Sequence, residues 1–165
     1  MEYLRNKLME PIWGERMTEA HVSSVPDDHR HTVALGFVAV RDRVVLKEFS
    51  TRLETAPESD LWGDEMWVND LHLESQYPES DPAWRRDVLT QGLAIVEALL
   101  PLMRTASGGR TVQALVSLQS AESTVDPVMD FACGNVRFVT LRASEDDLRT
   151  DMDGSDQPAV VVTLG

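Results

Sequence analysis

The chain has 165 residues, of which 42% are hydrophobic and 26% charged, a composition typical of a single globular domain over residues 1–165. Its 28 acidic side chains against 15 basic ones give a formal net charge of −13. That charge repels nucleic acid and anionic membrane surfaces, and it favours a cationic small molecule or a basic protein as partner. An acidic excess that serves only solubility is the alternative interpretation.

The single cysteine and the apolar runs bear on location. Cys133 excludes an internal disulfide, and its apolar neighbours in "MDFACGN" indicate a buried structural thiol. No apolar run approaches the ~18 residues of a membrane span, and "MEYLRNKLMEPIW" lacks the continuous apolar segment of a signal peptide. We therefore expect a soluble, cytoplasmic protein.

The first part of the chain predicts a helix followed by a hairpin. In "EYLRNKLME", Leu4, Leu8 and Met9 recur at helical spacing, and Pro11 ends that helix. Residues 31–53 hold two β-rich runs, "HTVALGFVAV" and "VVLKEFSTRL", separated by "RDR", which predicts a hairpin without the usual glycine. The Pro, Ser, Asp and Gly content of "ETAPESDLWGD" predicts a loop.

A third strand is predicted over residues 65–74, "EMWVNDLHLE". Its alternation places Trp67, Asn69, Leu71 and Leu73 on one face and Val68, Asp70, His72 and Glu74 on the other. The strand is followed by the turn-forming stretch "YPESDPAW".

The longest helix follows this strand. Its apolar stripe consists of Trp84, Val88, Gly92, Ile95, Leu99 and Met103. The Ser-Asp-Pro sequence predicts a start with Asp81 as N-cap, and Pro101 predicts a kink or an end near Leu100, with "SGG" terminating the segment.

The remaining third of the chain is rich in predicted strands. Strands are expected over residues 111–118, 136–143 and 158–164, a short helix over 126–134, and an acidic hairpin loop over 144–157. The order of elements predicts an α/β or α+β fold. Its mixed, mainly antiparallel sheet is expected to have a long central helix packed on it.

This order resembles the GNAT acetyltransferase superfamily from about Thr32 to the C-terminus. The segments that carry the resemblance are "WVNDLHLE" before the long helix, "GLAIVEALLPLM" within it and "VMDFACGNVRFVTL" near the end. The resemblance implies a GNAT-like fold, acetyl-CoA as cofactor, and acetyl transfer to an amine.

The resemblance also identifies candidate cofactor-binding residues. In the family an Arg or Gln, two residues, a Gly, one residue and a Gly or Ala open the helix and bind pyrophosphate. Here "QGLA" supplies Gly92 and Ala94, with Leu89 at the Arg or Gln position. Arg85 and Arg86, on the first helical turn, are further candidates for cofactor phosphates. The alternative is a helix that Asp81 caps and that continues through Gly92, whose missing side chain permits close packing on the sheet.

Asp70, His72 and Glu74 form the best candidate catalytic group. Spacing of two on a strand projects all three side chains to one side. In the mechanism that the resemblance implies, Glu74 or His72 could deprotonate an attacking amine. A solvated strand face is the alternative, and a metal site built from the same residues is a weaker one.

Two other acidic stretches match known ligand patterns less well. "DDHRH" offers Asp27, Asp28, His29 and His31, with His21 upstream, but this spacing matches no strong zinc pattern. "DMDGSD" lacks the spacing of a calcium loop and is predicted to be a solvated hairpin tip. We expect no metal at either stretch.

Two hypotheses of function remain open. The first is an acetyl-CoA-dependent N-acetyltransferase acting on a cationic amine. The second is a catalytically inactive relative that serves as an acidic protein-interaction or regulatory module. Many members of the family place a catalytic Tyr in the short helix just before its closing glycine, whereas this chain has Phe131 before Gly134. Leu89 likewise stands where the cofactor motif has an Arg or Gln. Both differences favour the second hypothesis. A homodimer is compatible with either.

Overall fold

The structure, a computed structural model, describes residues 1–13, 25–54, 61–119, 132–142, 147–153 and 155–165. Within these ranges there are four α-helices, α1 to α4, and seven strands, β1 to β7. In chain order they are β1 Glu2–Arg5, α1 Arg30–Leu35, β2 Phe37–Val40, β3 Arg43–Leu46, α2 Leu61–Val68, β4 Asp70–Glu74, α3 Ala83–Ala106, β5 Val112–Gln119, β6 Cys133–Thr140, α4 Leu148–Asp153 and β7 Ala159–Leu164.

Five strands form one sheet in the order β1-β7-β5-β6-β4, and every neighbouring pair is antiparallel. The long helix α3 follows edge strand β4 and leads into central strand β5, and β6 lies between these two strands. The predicted α+β class, with a mainly antiparallel sheet and a long helix packed on it, is confirmed.

Helix α3 covers one face of the sheet with the predicted stripe. Trp84, Val88, Ile95 and Leu99 are all buried, and they pack with alternate residues of the strands in the main core. By length and composition alone α3 could cross a membrane, but much of it is buried inside the protein. The burial pattern is that of a core helix.

Of the two outcomes predicted at Pro101, an end of α3 near Leu100 does not occur, because the helix runs through Pro101 to Ala106. Proline removes one backbone donor. Leu99, Leu100 and Met103 are fully buried on either side of it, and tertiary packing of this kind supplies most of a helix's stability. Ser107 and two glycines with positive φ then end the helix, as predicted.

The predicted hairpin is present but is shorter than the sequence indicated. β2 and β3 pair as a separate two-stranded sheet, whereas residues 47–54 form a 3₁₀ helix and residues 30–35 form α1. The turn has φ values of 49° at Arg41 and 66° at Asp42. Such values at both central residues are required by the tight turn that suits hairpin twist, and Asp tolerates them better than most residues. A guanidinium nitrogen of Arg142 also donates to the Asp42 carbonyl at 2.7 Å, which supports the turn without glycine.

The predicted strand over 65–74 begins only at Asp70, because residues 61–68 form α2. This helix also replaces the end of the predicted loop over 54–64, of which residues 55–60 lie outside the described ranges. The reason is the position of Glu65 and Asn69, two polar side chains that are fully buried. They lie against the part of the β6 edge that β4 does not pair with.

These two side chains join the hairpin to the main sheet. Glu65 accepts hydrogen bonds from the backbone N–H groups of Val44, at 2.6 Å, and Thr140, at 2.7 Å. Asn69 accepts from the N–H of Leu46 and donates to the carbonyl of Phe138. Backbone groups of β3 and β6 that a further strand would pair are thus satisfied by side chains.

The N-terminal segment is a strand and not the predicted helix. β1 pairs antiparallel with β7. The amide of Asn6 then supports the turn that follows, since its Oδ1 accepts from the N–H groups of Met9 and Ala159. Pairing with the edge of β7 overrides the weak helical pattern of Leu4 and Leu8, because local propensity yields to tertiary context.

The second face of the sheet carries a smaller apolar cluster. Leu148 and Met152 of α4 pack there against Leu115, Val139 and Val161. The predicted hairpin loop over 144–157 is therefore wrong in part: it contains α4, and β5 separates β6 from β7. Of the predicted helix over 126–134, residues 126–131 lie outside the described ranges, whereas Cys133 and Gly134 belong to β6.

Candidate functional site

The acidic edge, defined as Asp70, His72 and Glu74 of β4, lies where the sequence predicted these side chains to lie together. Leu71 and Leu73 alternate with them and are buried against α3. The acidic edge therefore projects from the sheet face opposite α3. Asp70 and His72 thus face away from the long helix.

Two of these residues are strongly exposed. The side chains of His72 and Glu74 are 55% and 75% exposed, and His72 Nε2 lies 4.0 Å from Glu74 Oε1. This separation is at the limit of an ion pair, and in solvent such a pair contributes little. A side chain this exposed can reach a partner without rearrangement of the fold.

Asp70 is held by two side chains of the neighbouring strand. Asn135 Nδ2 donates to Asp70 Oδ1 at 2.7 Å, and Arg137 Nε lies 3.2 Å from Oδ2. Register explains these contacts, because β6 places Arg137 opposite Asp70 and Asn135 opposite His72. The sequence analysis did not predict either partner, because the sequence of one strand does not determine its register with a strand that is distant in the chain.

Glu74 also lines a cavity of about 420 Å³ beside α3. Asp28 and Asp87 are two further acidic residues of the lining, which Pro26, Gln76, Thr90 and Gln91 complete. Asp87 Oδ2 accepts from Ser75 Oγ and the N–H of Gln76, at 3.0 and 3.1 Å. Asp87 therefore anchors the turn after β4 to the helix. The spacing of Asp87 and Gln91 on one helical face is the only sequence signal for this cavity.

Cys133 lies opposite Glu74 on β6 and is partly buried. Burial raises the pKa of the Cys133 thiol, and the nearby carboxylates of Glu74 and Glu79 raise it further. A raised pKa keeps the thiol protonated at neutral pH, which disfavours a nucleophilic role.

The candidate cofactor residues are divided between two places. Arg85 and Arg86 line a second cavity, of about 440 Å³, together with Pro11, Ile12, Pro82 and Ala83. The guanidinium carbon of Arg85 lies 5.2 Å from the centre of the Trp84 ring. Two guanidinium groups at one cavity suit an anionic group.

Gly92 lies in the middle of α3 and faces the sheet. A Cβ atom at this position would lie 2.7 Å from Val116 Cγ1 and 3.2 Å from Leu73 Cδ1. The helix begins at Ala83, whose N–H donates to Asp81 Oδ1 at 2.9 Å. The N-cap position belongs to Pro82 and not to the predicted Asp81. The predicted continuation of the helix through Gly92 is present, and the amides around Gly92 are used within it. Gly92 does not fit the binding of pyrophosphate.

The two histidine- and aspartate-rich stretches show no metal-binding geometry. Asp27–His29 form a short 3₁₀ helix and His31 lies in α1, whereas His21 lies outside the described ranges. Residues 151–153 belong to α4, so the predicted hairpin tip is wrong for these residues. Within the described part of the chain, no group of three or more His, Cys, Asp or Glu residues could hold a metal ion.

Two other ion pairs lie away from the acidic edge. Arg43 Nε donates to Asp64 Oδ2 at 2.7 Å with both side chains buried. Asp147, before α4, accepts from Arg149 and from Gln113 Nε2, and the bonds to Arg149 lower the pKa of its carboxyl to about 2. The pair of Arg43 and Asp64 links β3 to α2, whereas Asp147 is linked to β5 through Gln113.

Comparison with known proteins gives no relative: no family model matches the chain, and no match was found among curated proteins or solved structures.

Proposed function

We propose that this protein is a binding module for a positively charged segment of a protein partner, and that the acidic edge and the cavity beside it form its binding surface. The observation that carries the proposal is the lining of the 420 Å³ cavity. Three of its lining residues, Asp28, Glu74 and Asp87, are acidic, and no Lys or Arg contributes to the lining among the described residues. A Lys or Arg side chain at this cavity would therefore lie among acidic residues and no basic ones.

The charge of the whole chain supports the same partner. A formal net charge of −13 raises the local concentration of cationic ligands and speeds their encounter, an effect that falls with ionic strength. The exposure of Glu74 makes the edge accessible. The exposed position of His72 and Glu74 favours recognition over chemistry, because catalytic acids and bases are usually placed where burial shifts their proton affinity.

Calorimetric titration with a lysine oligomer tests this proposal. We expect binding at low salt that weakens as salt is raised, and a loss of affinity of roughly two- to fivefold for each of Asp28→Asn and Glu74→Gln, the scale of one solvent-exposed charge contact. Glu2→Gln, on the opposite edge strand β1, is the matched control and is expected to bind like the unmodified protein. Equal losses in all three variants would indicate only the general field of the protein and would contradict a localised site.

The second candidate is an acetyl-CoA-dependent N-acetyltransferase. The observation that favours it is the pair Arg85 and Arg86 at one cavity, where the anionic phosphates of a cofactor would find two guanidinium groups. The Asp81 carboxylate at the start of α3 opposes an anion there. Titration with acetyl-CoA is expected to give neither binding heat nor thermal protection. If it gives both, and Glu74→Gln lowers turnover at least ~100-fold, the enzyme is the better account.

A further inference from the structure

Among the described residues, no strand pairs with the outer edge of β4. It is the last strand in the order β1-β7-β5-β6-β4, and its one partner in the sheet is β6. Edge strands present a row of backbone donors and acceptors to which another chain can pair. The opposite edge, β1, is followed at once by the turn that Asn6 anchors, so β4 offers the better-defined edge.

The backbone groups that point outward belong to the acidic edge itself. The N–H of Ser75 donates to the carbonyl of Ala132 on the β6 side, at 3.1 Å. Because antiparallel pairs alternate between hydrogen-bonded and non-bonded positions, Leu71 and Leu73 share this inward direction. Asp70, His72 and Glu74 therefore direct their N–H and C=O groups away from β6.

These outward groups are largely unpaired. Gln91 Nε2 donates to the Glu74 carbonyl at 3.3 Å. No hydrogen bond joins the backbone N–H or C=O of His72 to the described ranges on the open side. Before Asp70 no further strand can pair along this edge, because Asn69 and Glu65 bridge β6 to β3 there. The opening thus has the length of β4.

The charge along this opening selects the incoming chain. Glu74 is exposed at the edge, and the cavity lined by Asp28 and Asp87 adjoins it. A second copy of this acidic chain would place like charges together, which disfavours self-pairing. A strand with Lys or Arg at alternate positions meets opposite charge instead, and its intervening side chains face the other side.

We propose that β4 receives an extended basic segment of a protein partner as a sixth strand of the sheet, with one of its Lys or Arg side chains in the cavity beside Glu74. This mode of binding rests on the proposed function and specifies how it is carried out. Main-chain hydrogen bonds supply the affinity in such complexes, and pockets for alternate side chains supply the specificity.

Amide hydrogen exchange followed by NMR tests the mode. The probe is a synthetic peptide of alternating lysine and valine that spans the strand. In the free protein the amides of Leu71 and Leu73 should exchange slowly and that of His72 quickly, because only the former are paired. Saturating peptide is expected to slow exchange at His72 at least about tenfold, and to leave Leu71 and Leu73 unchanged.

An N-methylated form of the same peptide is the matched control. It keeps every charge but cannot donate backbone hydrogen bonds, and we expect it to bind at least about tenfold more weakly, the effect of losing two or more such bonds.

The outcomes of these experiments distinguish a failure of strand addition from a failure of the proposed binding of a basic partner. If both peptides bind equally and His72 stays unprotected, strand addition is overturned and electrostatic recognition stands. If neither peptide binds at low salt, the proposed function fails as well. If the protein alone protects His72 more as its concentration rises, a second copy is the occupant and the basic partner is overturned.

Discussion

At the scale of single residues, Asp147 gives the most specific prediction of acid sensitivity. Its Oδ1 accepts from the N–H of Arg149, in the manner of a helix N-cap, and the bonds to Arg149 hold its pKa at about 2, below the ~3.9 of an unfolded chain. The unfolded state therefore binds more protons as the pH falls through this range. The stabilisation by Asp147 is complete above about pH 4 and is lost as the pH falls towards about 2.

Two variants distinguish the effect of Asp147 as a helix cap from the effect of its charge. Asp147→Asn keeps a capping oxygen and should flatten the fall in free energy of unfolding between about pH 4 and pH 2. Asp147→Ala should in addition cost ~1 kcal/mol at neutral pH through the lost cap. Urea unfolding at a series of pH values measures both, and an Asn variant with the slope of the unmodified protein would contradict the assignment.

Cys133 reports on the acidic edge from within the structure. Because the Glu74 carboxylate contributes to the raised pKa of the thiol, Glu74→Gln should lower that pKa. The thiol should then react roughly two- to fivefold faster with a thiol reagent at neutral pH, the effect of removing one partly solvated charge. The Glu2→Gln variant, changed on the far edge strand, should react at the unmodified rate. Equal rates in all three proteins would show that Glu74 does not act on the thiol.

At the scale of elements, two glycines set the distance between α3 and the sheet. A Cβ at Gly92 would meet Val116 Cγ1 at 2.7 Å, whereas one at Gly134 would meet the Ser117 carbonyl oxygen at 2.5 Å and Val88 Cγ1 at 2.6 Å. Gly92→Ala should therefore lower the free energy of unfolding by about 1–3 kcal/mol, although alanine is the better helix former. Gly134→Ala should cost more, because the oxygen belongs to a paired strand that cannot move alone.

Thermal and denaturant unfolding of the two variants measures this order. Leu102→Ala, at an exposed position of the same helix, is the control and should cost less than either. A stabilised Gly92→Ala protein would show that the helix can move away from the sheet without loss.

The elements also show what the sequence could predict. The stripe of Trp84, Val88, Ile95 and Leu99 identified α3 and its buried face, because helical periodicity is a local signal. The strands β5, β6 and β7 were predicted from their runs of β-rich residues, which are also a local signal. Glu65 and Asn69 were not predictable as bridges, since their role depends on backbone groups of β3 and β6 that are distant in the sequence.

For the candidate site, too, local signals were predictive and contacts between distant segments were not. Alternation along β4 correctly placed Asp70, His72 and Glu74 on one face, and the Ser-Asp-Pro signal correctly indicated a helix that passes through Gly92. The contribution of Asp28 and Asp87 to a cavity with Glu74 depends on how the segment before α1 packs near α3. No spacing within the chain encodes that arrangement.

At the scale of the whole molecule, β4 is one of the two outer strands of the five-stranded sheet within the described ranges, and β1 is the other. The sheet face towards α3 and much of its second face are occupied by apolar clusters. The hairpin closes part of the edge of β6 through Glu65 and Asn69. Within the described ranges the acidic edge stays open, on a protein whose formal net charge is −13. This distribution favours a basic partner at one place over diffuse attraction.

Mapping of backbone amide shifts by NMR during titration with a lysine oligomer locates the binding surface. The account predicts that the largest shift changes fall at Asp28, His72, Glu74 and Asp87, and that Glu74→Gln reduces them at low salt. Shifts spread evenly over the acidic surface, or concentrated near Glu2 and the β1 edge, would contradict it.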